Sequence, residues 1–236
     1  MSQPRLRLEK CRSEGGIWHI DSEQARHLTR ARRLSSGSVV EGLLNGEKIT
    51  LRLLDGDGEL RAEEISRCRE APAPVEIHLL LAVLKAEQFD MALRFAAETG
   101  VHTIRLLSCE RSVPRFDGSR LAEKMSRWRR ILDESTKQAG AAAAPLLAEP
   151  VALRDLDLSA LPTVRFAALL DHNAVSLVSA EAESKAAVAI GPEGDWTPVE
   201  AAFLIENGFT PVSLGSRILR ASTAVAVACG ALSMKR

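Results

Sequence analysis

The stretch at residues 186–224, AAVAIGPEGDWTPVEAAFLIENGFTPVSLGSRILRASTA, holds two apolar runs that each stop in a glycine loop, with a helix between them. AAVAI, ending at Ile190, contains no polar residue, as expected of a strand buried on both faces. It breaks at Gly191-Pro192-Glu193-Gly194. Thr197, Pro198 and Glu200 then spell a helix start, as N-cap, first-position proline and capping-box carboxylate, and Gly208 marks the stop. TPVSL is the next strand, broken at Gly215. ASTAVAVACGAL follows as a small-residue helix, whose start Ser222 and Thr223 are expected to cap. Strand, glycine turn and helix, twice over, is the pattern of an α/β domain with a mostly parallel sheet.

The alternation begins near residue 75. VEIHLLLAVL is a continuous apolar run, and EQFDMALRFAAETG sets Phe89, Leu93, Ala96 and Ala97 on one helical face before Gly100. HTIRLLS is a strand, SRLAEKMSRWRRILDESTKQAG a long basic helix ending at Gly140, Ala141–Ala144 a loop, and VRFAALL another strand. The earlier part of the chain differs. Asn45-Gly46 and Asp55-Gly56 separate short apolar runs, the strongest local hairpin signal, because a type I′ turn needs positive φ at both central residues. A small antiparallel β-barrel closes such strands. DSEQARHLTRARRL is a helical piece with Asp21 or Ser22 as N-cap. Pro72 and Pro74 mark a boundary, giving a small β domain at 1–71 and an α/β domain at 72–236.

The 236 residues are 46% hydrophobic, enough for a packed core. There is no apolar run of about 18 residues, hence no expected membrane span, and no apolar leader. Cys11, Cys68, Cys109 and Cys229 lack CxxC spacing and read as reduced, mostly buried thiols of a cytoplasmic protein. The five histidines are dispersed, so no metal site is expected. The net charge of zero hides a split: residues 1–35 carry eight Lys/Arg against four acids, whereas 145–206 carry three against ten. Phosphate responds to the local field, not to the sum. Arg26, Arg30, Arg32 and Arg33 form one basic group, Arg111 and Arg115 a second, and Arg127, Arg129 and Arg130 surround Trp128 in a third. These suit RNA phosphate contacts and base stacking; the alternative is a solvated charged face with Trp128 in the core.

Open α/β sheets bind ligands outside the carboxyl ends of their strands, where both glycine loops lie. Neither loop carries a Gly-Lys-Ser/Thr or GxGxxG pattern, which disfavours the usual nucleotide sites. Loops of this kind suit a ligand read by backbone groups and apolar walls, such as adenine with a thioether or sulfonium. The competing reading is two tight turns with glycine for steric reasons. Glu193 sits at the tip of the first loop, and Arg217 and Arg220 flank the second.

The segment IGPEGDWTPVEAAFLIENGFTPVSLGSRILRASTA resembles the C-terminal signature of the RsmE family, SPOUT-class methyltransferases that use S-adenosylmethionine to modify N3 of a uridine in the decoding region of 16S ribosomal RNA. KAEQFDMALRFAAETGVHTIRLLSCERSV, RWRRILDESTKQAG and HLTRARRLSSGSVVEGLLNGE are similar to further family segments, so the likeness covers almost the whole chain. It implies a PUA-like RNA-binding barrel, a C-terminal domain tied in a trefoil knot, and a homodimer acting on 16S rRNA within the small ribosomal subunit. It also implies a cofactor pocket lined by Leu169, Leu170, Ile190, Gly191, Pro192, Glu193, Gly194, Leu214, Gly215, Ile218 and Leu219, and it offers helix 221–233 to a partner. Uridine N3 is protonated at neutral pH, so Arg220, then Arg217, is expected to stabilise the base anion, with Glu193 as candidate general base. Arg26, Arg30, Arg32, Arg33, Arg111, Arg115, Arg127 and Arg130 are the expected RNA contacts. The sequence departs from the family in three places: Asp195-Trp196 replaces Gly-Phe, Ser222 replaces a glutamate, and Ala141 replaces an arginine. Action on a different RNA, or RNA binding without catalysis, are the competing functions.

Overall fold

The structure is a computed structural model that describes residues 3–54, 59–112, 118–171 and 173–235. The chain divides into two compact units, Met1–Pro72 with Thr136–Ala143, and Ala73–Ser135 with Ala144–Arg236.

The first unit contains β1 (Arg5–Arg7), β2 (Arg12–Glu14), β3 (Ile17–His19), α1 (Ser22–Arg26), β4 (Val39–Leu44), β5 (Glu47–Leu54) and β6 (Arg61–Arg69). Its strands form one sheet in the order β1-β4-β5-β6-β3-β2, antiparallel except for the β1–β4 pair. Leu6, Trp18, Leu28, Val40, Ile49, Leu51 and Leu53 are buried together as its core. The Asn45-Gly46 turn joins β4 to β5 with φ of 48° and 82°, the signs that its tight hairpin requires. Asp55-Gly56 lies outside the described residues. The expected closed barrel is not formed among the described residues: β1 and β2, three residues each, remain the two edges. Asp21 caps α1 by accepting the Glu23 and Gln24 amides at 3.1 Å each, and the helix runs on as a π-helical stretch, His27–Ala31.

The second unit contains β7 (Glu76–Ala82), α2 (Ala86–Glu98), β8 (Thr103–Ser108), α3 (Gly118–Ala139), β9 (Leu146–Ala152), β10 (Val164–Ala168), β11 (Val175–Ser176), β12 (Lys185–Ile190), α4 (Pro198–Glu206), β13 (Thr210–Ser213) and α5 (Ala221–Ser233), with the end of α3 grouping with the first unit. Its seven strands are all parallel, in the order β11-β13-β10-β12-β7-β8-β9. The continuous apolar runs, β7 and β12, pair at the centre, where both sheet faces are covered. The edge strands β9 and β11 carry no comparable signal. β9 includes Glu149 and Pro150, which break up any apolar run, and β11 is two residues long.

The capping box of α4 is present: Thr197 Oγ1 accepts the Glu200 amide at 3.3 Å, and Glu200 Oε2 accepts the Thr197 amide at 2.9 Å. Glu200 Oε1 also accepts the Glu110 amide at 2.8 Å, so one carboxylate starts a helix and pins the turn after β8. The expected cap of α5 is corrected. Arg220 is the N-cap and makes no side-chain capping bond, while Ser222 lies inside the first turn, 1% exposed. A buried hydroxyl needs a partner, and Ser222 Oγ donates to Gln88 Oε1 of the adjoining α2 at 2.6 Å. The small residues Ala221, Ala224, Val225, Ala228 and Cys229 are buried within this chain, so that face of α5 is not free for a partner. Trp128 is also in the core, edge-on to Phe89 at 4.6 Å, which removes it as a base-stacking platform.

All four cysteines are free, but only Cys109 and Cys229 are buried, and Cys68 is exposed on β6. Burial pushes the Cys109 and Cys229 thiols up to about 12, so both stay protonated near neutrality. At pH 8 a thiol reagent should label Cys68 at once and the two buried cysteines only on unfolding; prompt labelling of Cys109 in the native protein would contradict the packing. Glu200→Ala should lower the unfolding free energy in urea by about 1–2 kcal/mol, with Glu200→Gln retaining part of the stability. An unchanged transition would remove Glu200 as a brace.

Candidate active site

Three loops at the carboxyl ends of β10, β12 and β13, together with the start of α2, enclose a cavity of about 520 Å³. Its walls include Leu169, Leu170, Ile190, Gly191, Pro192, Glu193, Leu214, Gly215, Ile218 and Leu219, and Arg217 and Arg220 also line it. The two glycine loops therefore meet around one space. Gly194 does not line it. Its carbonyl accepts Arg111 Nη1 at 2.8 Å, and a Cβ there would stand 3.1 Å from the Arg111 side chain. Lys85, Gln88, Ala168, Asp195, Val212, Ser213, Ala221 and Ala224 complete the wall and were not singled out from sequence as ligand-facing. A signal for the first two existed: KAEQFD follows the central strand β7, so the carboxyl-end rule applies there as well.

Besides the Arg111 bond, side-chain bonds of Trp196, Asp195 and Glu193 hold the first loop. Trp196 is 5% exposed, and its indole N–H donates to the Ala168 carbonyl at the end of β10, 3.1 Å away. Asp195 stands at φ 62°, a left-handed conformation, and its Oδ1 accepts the Trp196 amide at 2.8 Å. Such a local bond is what lets a short polar side chain occupy that region. Glu193, exposed at the loop tip, accepts the Lys85 amide on Oε1 at 2.9 Å and so joins the loop to the start of α2. Gly191 is required by contact: a Cβ there would lie 2.9 Å from Nε1 and Cε2 of the Trp196 ring.

The arginines expected to meet RNA fall in separate places. Arg26, Arg30, Arg32 and Arg33 are exposed on α1, the π-helical stretch and the turn that follows, all in the first unit. In the second unit Arg130 is exposed on α3, Arg127 pairs with Asp90, and Arg111 donates to loop carbonyls. Arg115 lies outside the described residues.

Residues 71–233 match the family model of an RNA methyltransferase domain. The ribosomal RNA small subunit methyltransferase E of Synechocystis is 30% identical over 219 residues, a match covering 89% of this chain and 70% of the relative. The chain belongs to the RsmE family. A second relative, ribosomal RNA small subunit methyltransferase E 2 of Borreliella burgdorferi, is 29% identical over 234 residues, covering 92% of this chain and 90% of its own. Among solved structures, the RsmE protein of Neisseria gonorrhoeae bound to S-adenosyl methionine superposes with a TM-score of 0.84 at 26% identity. That match covers 98% of this chain and 96% of the other.

Two departures from the RsmE pattern now have a local account. Asp195 supplies its own bond to hold a conformation that glycine adopts freely, and Ser222 finds a neutral partner in Gln88. Nothing in the structure accounts for Ala141. Gly191→Ala should displace the Trp196 ring and cost about 1–3 kcal/mol in stability, the range for overpacking a filled site. It should also weaken the bond to Ala168 and with it any ligand held by the loop. An unchanged urea transition and unchanged Trp fluorescence would show that the contact is slack.

Proposed function

We propose that this protein transfers a methyl group from S-adenosylmethionine to N3 of a uridine in the decoding region of 16S ribosomal RNA, in the cytoplasm and within the small ribosomal subunit. The observation that carries the reading is the meeting of both glycine loops around one cavity at the carboxyl ends of a parallel sheet. Its volume falls in the usual range of about 300–1,000 Å³ for small-molecule sites. Leu169, Ile190, Leu214 and Leu219 suit an adenine ring, and the backbone of residues 191–193 and 214–219 suits its polar edges. The gonococcal relative's bound ligand and the family membership support the same cofactor and an rRNA substrate.

When bound, S-adenosylmethionine supplies an electrophilic methyl group. The chain must hold the uridine in line with that group and favour its N3 anion. Arg220, at the N-cap of α5 and on the cavity wall, is the group that stabilises negative charge spread over the uracil oxygens, with Arg217 beside it. Glu193 Oε1 is committed to the Lys85 amide, so Oε2 is the atom left to receive the N3 proton. Arg26, Arg30, Arg32, Arg33 and Arg130 contact RNA phosphates.

The first unit is read as PUA-like, supported by its six-stranded, largely antiparallel sheet, and the boundary between β and α/β domains as falling at residues 71–72. The trefoil knot is supported by the position of β13 between β10 and β11 although it follows β12 in the chain. A homodimer is supported by exposed apolar side chains that a second copy would cover, Leu170 at 66% and Ile218 at 79%.

The test is methyl transfer from labelled S-adenosylmethionine to small subunits from cells lacking this enzyme, followed by mass spectrometry of the nucleosides. N3-methyluridine at one decoding-region position is expected. Methylation elsewhere would identify another RNA substrate, and absence of both transfer and cofactor binding would leave RNA binding alone. Arg220→Ala should leave cofactor affinity within about threefold and slow single-turnover transfer by roughly 10²–10³. Unimpaired transfer would remove Arg220 from the mechanism.

A further inference from the structure

The two glycine loops are held unequally. The first is tied down through Glu193, Asp195 and Trp196. In the second, Ser213 Oγ donates to the Gly215 carbonyl at 3.1 Å, but residues 216–219 form no hydrogen bond among the described residues. Arg220 stands at the far end of that loop. Its guanidinium is exposed and has no partner among the described residues, and as N-cap of α5 it makes no side-chain capping bond. Its place is therefore set by whatever holds its backbone. The first anchor beyond the loop is Ser222, 1% exposed, whose Oγ donates to Gln88 Oε1 of α2 at 2.6 Å. The Ala224 amide donates to the Arg220 carbonyl at 2.8 Å, so Arg220 moves with that anchored turn. The first turn of α2 thus serves both loops, one through the Lys85 amide and the other through Gln88.

Both partners in the second anchor are neutral. A glutamate at 222, the residue of the family pattern, would set a carboxylate two residues from Arg220. The hydroxyl secures the turn and leaves the guanidinium charge whole for a developing anion. Ser222 itself is not among the residues lining the cavity, so its influence on an occupant passes through the backbone.

We propose that Gln88 is a positioning residue for the methyl transfer: through the Ser222 hydroxyl it fixes the first turn of α5 and so the direction of Arg220. The inference rests on the reading of the cavity as the cofactor site with Arg220 as its charge-stabilising group.

Ser222→Ala removes the donor without touching the cavity wall, and Gln88→Met removes the acceptor at similar bulk. Each should slow single-turnover transfer at saturating cofactor and subunits by roughly 10–100-fold, the cost of a small misplacement. In Ser222→Ala, S-adenosylmethionine affinity by calorimetry should stay within about twofold, which separates misalignment from lost binding. In an Arg220→Ala background neither change should slow transfer by more than about twofold, because both act through the residue already removed. An unimpaired rate in folded Ser222→Ala, or the full loss repeated in the Arg220→Ala background, would overturn the proposal. Amide hydrogen exchange tests the brace without any substrate. The Ala224 amide should exchange at least about tenfold faster in both variants than in the wild-type protein. Unchanged exchange in both would also overturn the proposal. Faster exchange in the variants, with no methyl transfer by the wild-type protein, would show the brace to be real and the reading of the cavity to be wrong.

Discussion

One hydrogen bond governs the geometry of the site: the Trp196 indole N–H, on a buried ring, donates to the Ala168 carbonyl at 3.1 Å. It ties the loop after β12 to the end of the neighbouring strand β10, whose next residues, Leu169 and Leu170, line the cavity. Such a bond contributes about 1 kcal/mol net, but a buried indole N–H left without its acceptor costs roughly 1–3 kcal/mol, so the ring has one preferred seat. That seat dictates its neighbours. Gly191 must lack a Cβ because the ring already occupies the space, and Asp195 must turn left-handed to deliver the ring there.

Two carboxylates brace the same loop from either side. Glu193 holds it to the start of α2 through the Lys85 amide, and Glu200 caps α4 while gripping the turn after β8. Each brace joins segments about ninety or more residues apart in the chain. Methyl transfer needs precise alignment more than acid or base strength, and loops held by charge-assisted bonds to backbone amides provide it. The positive side chains Arg217 and Arg220 lie on the other loop of the wall, apart from both braces.

Much of this was legible in the sequence because the signals were local. Two glycine breaks after apolar runs, a complete capping box at Thr197 and Glu200, and an Asn-Gly hairpin each act within a few residues, and each lies in the structure where the pattern puts it. What the sequence concealed depends on distant contacts. Ser222 reads as a helix cap until α2 brings Gln88 to it, and Gly194 reads as a ligand contact until Arg111 is found against it. Trp128, set among arginines, leaves stacking platform and core residue both open until Phe89 is found against it. The edge strands β9 and β11 were missed because an exposed edge imposes little hydrophobic pattern. The closed barrel was expected because hairpin signals give pairing but not closure.

The central claim is that both glycine loops grip one cofactor. A crystal structure of the protein grown with S-adenosylmethionine tests it most directly. The account predicts the adenine between residues 190–193 and 214–219 and the methyl group directed toward Leu169 and Leu170. A cofactor bound elsewhere, or crystals from saturating S-adenosylmethionine in which that cavity holds none, would contradict it.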